Sequence, residues 1–175
     1  MTEAQLSNAM DAYGSTVYRM ALTRMQNIAD AEDVYQEVFL RLWKQAAEDW
    51  DGDRAKAWLI RTTLNRCADL HRFRLRRPVL SFAEIPDLAQ PEEGRRGLWE
   101  AVSRLPEKAR TAVHLYYAEG YSAEEISHLM HIPAATVRTR LHRARKQLKE
   151  LLGGIDDVTC VSRSDGTNFG PQRAE

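Results

Sequence analysis

Apolar residues return every third or fourth position through most of this chain, and the places where that rhythm stops divide it. Leu6, Met10, Tyr13, Val17 and Met20 have the spacing that lines one face of a helix, which predicts an α-helix over about 5–26. Val34, Val38 and Leu42 repeat at four-residue steps and predict a second over about 31–47, with Asp30 as the N-cap. After "DWDGD" a third helix is expected from about 54 to 76, stopped by Pro78 because the residue ahead of a proline avoids helical angles. Residues 78–97 hold Pro78, Pro86, Pro91, Gly94 and Gly97, lose the rhythm and read as a flexible linker. Periodicity returns at Leu98. Pro106 fits the first position of a helix that ends near Gly120, and Ser122 and Glu125 stand three apart before an apolar run, as a capping box requires. From residue 153 the chain is polar and aperiodic and reads as a disordered tail. With no strand pattern and no repeat, the expectation is an all-α protein of two small helical domains, 1–77 and 98–152, each marginal in size for burying a core.

Within the second domain, Ile126, Leu129 and Met130 form the inner face of a short helix, and Ile132 and Pro133 make a corner. Val137, Leu141, Ala144, Leu148 and Leu151 form the seam of a longer helix, so the pair reads as a helix-turn-helix. Thr136, Arg138, Thr139, Arg140, His142 and Arg143 lie off that seam and face solvent or a partner. In such motifs the start of the second helix enters the DNA major groove, where arginine donates to guanine acceptors and threonine meets either base edge. Arg145 and Lys146, with Lys149, lie further along and suit phosphates.

The 175-residue chain has 25 basic and 25 acidic side chains, a net charge of zero that conceals opposed blocks. Residues 54–77 carry eight Arg or Lys against the single acid Asp69, and residues 138–149 carry six bases and no acid. On the third helix, Arg61, Asn65, Asp69, Arg72 and Arg76 share one face. Trp58 and Phe73 interleave aromatic rings on which an unstacked base could rest, although Trp58 fits equally as core. The second helix presents Asp33, Gln36 and Glu37 beside Leu40. That patch reads either as a solvated face or, since it repels phosphate, as a protein-binding surface.

Several classes are disfavoured. Apolar residues are 43% of the chain, and no run approaches the ~20 residues of a membrane span; with no signal-peptide pattern at the start, the expected location is cytoplasmic. Cys67 and Cys160 are too few and too distant for a disulfide framework or zinc set. Cys67 with His71, and His128 with His131, give two ligands each, which do not complete a metal site. No nucleophile triad, phosphate loop or carboxylate dyad stands out, so no enzyme activity, cofactor or metal is expected.

The stretches "DAEDVYQEVFLRLW", "AWLIRTTLNRCADLHR" and "LPEKARTAVHLYYAEGYSAEEISHLMHIPAATVRTRLHRARKQL", in this order, resemble the extracytoplasmic-function (ECF) sigma factors, small bacterial transcription initiation factors. The likeness covers residues 5–152. It implies a sigma-2-like first domain, a sigma-4-like second domain, and a monomeric alternative sigma factor that binds core RNA polymerase and directs promoter recognition, melting and initiation. It also implies roles. Asp33, Gln36 and Glu37, with Leu40 beside them, would dock on the clamp helices of the largest polymerase subunit. Trp58, Arg61, Asn65, Arg72 and Arg76 would hold the melted minus-10 element, the Asn65 amide meeting an extruded base edge. Thr136, Arg138, Thr139, Arg140, His142 and Arg143 would read the minus-35 element, and the second domain would also touch the polymerase flap. An anti-sigma protein is a further implied partner. His131 and Ala135 stand where the family usually has glycine, and His131 must then adopt the left-handed angles of a tight turn. A helix-turn-helix regulator acting on its own, as a dimer on half-sites, is the alternative. The sequence leaves open whether the free domains tumble separately or fold together.

Overall fold

The computed structural model of the protein describes residues 2–45, 52–76 and 93–153. Most of the segment read as a linker, and all but the first residue of the tail, lie outside that set. Helix α1 (Glu3–Met25) starts earlier than its apolar pattern because Thr2 and Gln5 cap it reciprocally. It ends where Gln26 turns left-handed at φ +52. Helix α2 (Ile28–Lys44) is capped by Asn27, not by Asp30: the Asn27 side chain accepts the Asp30 N–H at 3.0 Å. The carboxylate of Asp30 is buried and instead receives Arg74 of helix α3 (Gly52–Arg76). Burial pushes its pKa up while Arg74 pulls the other way. Val17, Val34, Val38, Leu42, Leu59 and Cys67 form the heart of this three-helix module.

The second module begins with α4 (Glu93–Ser103), which opens inside the stretch expected to be linker. Pro106 is one step further out than expected. It is the N-cap, with φ −54 and ψ 141, and its carbonyl accepts the N–H groups of Ala109 and Arg110. Helix α5 (Glu107–Val113) runs on as a π-helical turn over His114–Ala118. The Ser122–Glu125 capping box then opens α6 (Ala123–Met130). His131 makes the corner at φ +52, ψ 48, and α7 (Ala134–Leu151) follows, so the helix-turn-helix is formed. Ile126, Leu129, Val137, Leu141 and Ala144 are buried as the periodicity required. Leu151 is not: it lies in the last turn, beyond Leu148, and is 37% exposed.

The two modules fold together. Met20 of α1 and Ile60 and Leu64 of α3 belong to the same buried cluster as Leu115, Ile126, Leu129, Val137 and Leu141. Helix α5 lies against α1, and α6 against α3. Each fully buried large aliphatic side chain contributes roughly 1.5–3 kcal/mol. Modules this small gain a meaningful share of their stability from sharing one core.

The left-handed corner gives a direct test. A side chain in this region costs about 1–2 kcal/mol, and glycine returns about 0.5–1 kcal/mol of that as extra unfolded-chain entropy. His131→Gly is therefore expected to stabilise the chain by about 0.5 kcal/mol, a rise of roughly 1–2 °C in Tm by calorimetry. A fall in Tm would mean that the imidazole makes a compensating contact.

Candidate nucleic-acid and protein-binding surfaces

Three surfaces present the residues singled out in the sequence. On α2 the inward face carries Val34, Val38, Phe39 and Leu42, all buried. Asp33 and Gln36 are exposed on the opposite side, and Glu37 is half-buried and paired to Arg41 at 3.0 Å. The ridge is more apolar than sequence reasoning found. Leu40 is 54% exposed, and Trp43, three positions on, is 43% exposed. The signal was present in that spacing, which puts Trp43 next to Leu40. Tyr35 ties the ridge to α1. Its ring meets Tyr18 edge-on at 6.3 Å and Phe39 at 4.8 Å, and its hydroxyl lies 2.9 Å from where a Cβ on Gly14 would be. A Cβ at position 14 would oblige the Tyr35 hydroxyl to shift.

On α3, Arg61, Asn65, Asp69 and Arg72 are exposed together, as their spacing requires. Arg72 is held along the helix by Asp69 at 3.0 Å and by the Ala68 carbonyl at 3.3 Å. Arg76 closes the helix. Trp58 is partly buried, its ring packed against the first module's core. Phe73 is the more open ring, 55% exposed beside Leu70 and Arg72. The far side of the same helix carries Ile60 and Leu64 into the shared core, so α3 separates a polar surface from the module junction.

On α7, Arg138, Thr139, His142, Arg143, Arg145 and Lys146 are exposed, while Thr136 and Arg140 are half-buried against the seam. Thr139 spends its hydroxyl proton on the Ala135 carbonyl at 2.9 Å and keeps its lone pairs outward. Arg138 pairs with Glu124 of α6. Both side chains of that pair are more than half exposed, and such pairs are easily exchanged for a phosphate or base.

A fourth cluster, between the modules, escaped sequence reasoning. The Glu119 side chain, 3% exposed, accepts from Thr16 at 3.2 Å and pairs with Lys56 at 3.0 Å. Arg19 approaches it at 3.8 Å and His114 at 3.6 Å. Nearby, buried Arg110 donates to the carbonyls of Thr23 and, at 3.2 Å, Arg24, the last turn of α1. It also donates to Ser103 at 3.1 Å and Leu105 at 2.9 Å. Glu107 receives Arg24 and lies 3.9 Å from His71. These partners are up to 103 positions apart, so no local pattern could pair them.

Cys67 is wholly inside the first core, and burial pushes its thiol up to about 12, which leaves it an unreactive packing residue. Among the described residues no three His, Cys, Asp or Glu side chains stand together to hold a metal, and no helix is long and apolar enough to cross a membrane.

Two family patterns match the chain: Sigma-70 region 2 over residues 9–77 and Sigma-70, region 4 over residues 95–148. The ECF RNA polymerase sigma factor SigE of Mycolicibacterium smegmatis is 34% identical over 161 residues, 86% of this chain and 62% of SigE. The chain thus spans less than two thirds of SigE. The RNA polymerase sigma factor CarQ of Myxococcus xanthus is 34% identical over 164 residues, 85% of this chain and 93% of CarQ. Among solved structures, the sigma factor RpoE in complex with the anti-sigma factor NepR, from Bartonella quintana, matches with a TM-score of 0.71 at 24% identity. That match covers 85% of this chain and 96% of RpoE, and it shows a shared fold.

The buried carboxylate sets a pH dependence. Burial alone would lift Glu119, but the close approach of His114 and the contact with Lys56 outweigh it and hold the carboxyl at about 2 rather than the ordinary 4.5. The native pKa is the lower one. The contribution is therefore complete above pH 4.5 and is lost as pH falls from 4.5 toward 2. Urea titrations across that window should show stability falling with acid in the native chain and a flatter dependence in Glu119→Gln. Equal slopes would contradict the assignment.

Proposed function

The chain belongs to the ECF RNA polymerase sigma factors, and from that premise we propose that it is a non-catalytic subunit that joins core RNA polymerase and directs it to promoters. The observation that carries the reading is the exposure, on one chain, of an acidic and apolar ridge on α2 and a basic face on the second helix of a helix-turn-helix. The first repels nucleic acid and suits a protein; the second suits duplex DNA.

The roles follow from chemistry. Asp33, Gln36 and Glu37 offer carboxylates and an amide to a basic partner helix, while Leu40 and Trp43 offer apolar area to anchor it. That partner is the clamp-helix region of the largest polymerase subunit. Arg61, Asn65, Arg72 and Arg76 of α3 form the surface for the melted minus-10 strand, with Phe73 as its open ring and Trp58 as support from behind. Thr136, Arg138, Thr139, Arg140, His142 and Arg143 read the minus-35 duplex in the major groove, and Arg145 and Lys146 hold its phosphates. An anti-sigma protein is the regulatory partner this reading carries, as NepR is for RpoE.

The test is equilibrium binding to purified core polymerase, with duplex DNA binding measured in parallel. Asp33→Lys combined with Glu37→Lys is expected to weaken core binding by about 10- to 100-fold, with DNA binding by the isolated chain unchanged or stronger. Unchanged core affinity would remove the docking assignment. Tight, promoter-specific binding without polymerase would instead favour a regulator that acts alone.

A further inference from the structure

Helix α1 keeps a glycine where helix propensity argues against one. Gly14 lies in its interior, a position where alanine is the better helix former because glycine gives up more backbone freedom on folding. Tyr35 of α2 explains the choice: its hydroxyl stands 2.9 Å from the place a Cβ would take. Beside this contact runs a groove of about 420 Å³ between the two helices. Gly14, Ser15 and Tyr18 line it from α1, and Glu32, Tyr35 and Gln36 line it from α2. Gln36 also belongs to the acidic and apolar ridge, so the groove is a continuation of that surface toward α1.

The lining has a definite chemistry. Its walls include two half-buried tyrosine rings in edge-on contact at 6.3 Å. Its rim carries the exposed Glu32 carboxylate and Gln36 amide, and no basic side chain lines it. Asp11, one turn before Ser15 on the same face of α1, is exposed as well. Among the described residues neither Asp11 nor Glu32 takes part in an ion pair. Aromatic walls accept the methylene stem of a long side chain and the face of a planar cation, while acids at the mouth accept its N–H donors. A guanidinium meets both demands, because it stacks flat on a ring and presents donors at its edge; an ammonium has charge but no face. A free small molecule fits poorly, since pockets that hold one cover most of its surface and this groove is open to solvent. The occupant is therefore carried by a partner already held alongside.

We infer that the groove between α1 and α2 receives an arginine side chain of the polymerase segment that docks on α2. The inference rests on the sigma-factor reading. It adds three determinants to core binding beyond the ridge itself: Glu32 sets the charge of the side chain accepted, Tyr18 and Tyr35 set its shape, and Gly14 keeps Tyr35 back so that there is room for it.

The test is equilibrium binding of the full chain to purified core polymerase at low and high salt, with duplex DNA binding and helical circular dichroism measured in parallel. Glu32→Gln keeps the shape of the rim and removes its charge. It is expected to weaken core binding about 5-fold at low salt and to make that binding less sensitive to salt. Glu32→Lys repels the incoming cation and should weaken core binding by about 10-fold or more. Gly14→Ala leaves every charge in place but forces the Tyr35 hydroxyl to shift, and should weaken core binding by about 5- to 10-fold. Glu32→Gln and Gly14→Ala are expected to keep native helix content and native duplex DNA binding. Should Gly14→Ala lose helix, the Glu32 variants, on the exposed rim, carry the test. Native core affinity in both Glu32 variants would overturn the inference, and so would a loss confined to Gly14→Ala, which would mean that the groove takes an uncharged side chain. Asp33→Lys with Glu37→Lys separates the two levels: if that pair weakens core binding and the groove variants do not, the docking reading stands and the groove inference falls. If the native chain binds no core polymerase, the sigma-factor reading fails and takes the inference with it.

Discussion

The guanidinium of Arg110 occupies the place where the two modules must agree. It lies buried among four carbonyls, two at the end of α1 and two in the turn before α5. A helix end leaves its last carbonyls without partners inside the helix. The second module supplies that cover, and a cation at the C-terminal end of α1 also suits the helix dipole. Apolar contact through Met20, Ile60 and Leu64 draws the modules together without direction. Arg110 and Glu119 fix which surfaces meet, because their partners must lie within hydrogen-bond reach.

That constraint decides which faces remain available. Helix α3 turns Ile60 and Leu64 inward and leaves Arg61, Asn65 and Arg72 outside. Helix α7 turns Val137, Leu141 and Ala144 inward and leaves its arginines outside. The α2 ridge, with Leu40 and Trp43, takes no part in the shared core. Each of these faces is thus left exposed while the apolar junction between the modules stays covered.

Most of the helices were legible because their apolar spacing is local: Val34, Val38 and Leu42 declare α2, and the Ser122–Glu125 box declares α6. The errors are also local in origin. Asn27 and Asp30 both suit an N-cap, and only the Arg74 partner, 44 positions away, shows that Asp30 is committed elsewhere. The exposed faces of α3 and α7 followed from periodicity, whereas the partial burial of Trp58 depends on how the first module packs. The junction was not legible at all. Arg110 and Glu119 sit in an unremarkable helical stretch, and their meaning comes from Thr16, Thr23, Arg24 and Lys56, which only the folded chain brings near.

Amide hydrogen exchange on the full chain, read at the last turn of α1 and the first turn of α5, tests most directly whether these modules close on one another. Slow exchange at both places in the native chain, lost in Arg110→Ala while the cores of α2 and α7 stay protected, is the predicted result. Rapid exchange there in the native chain, or protection unchanged in the variant, would contradict it.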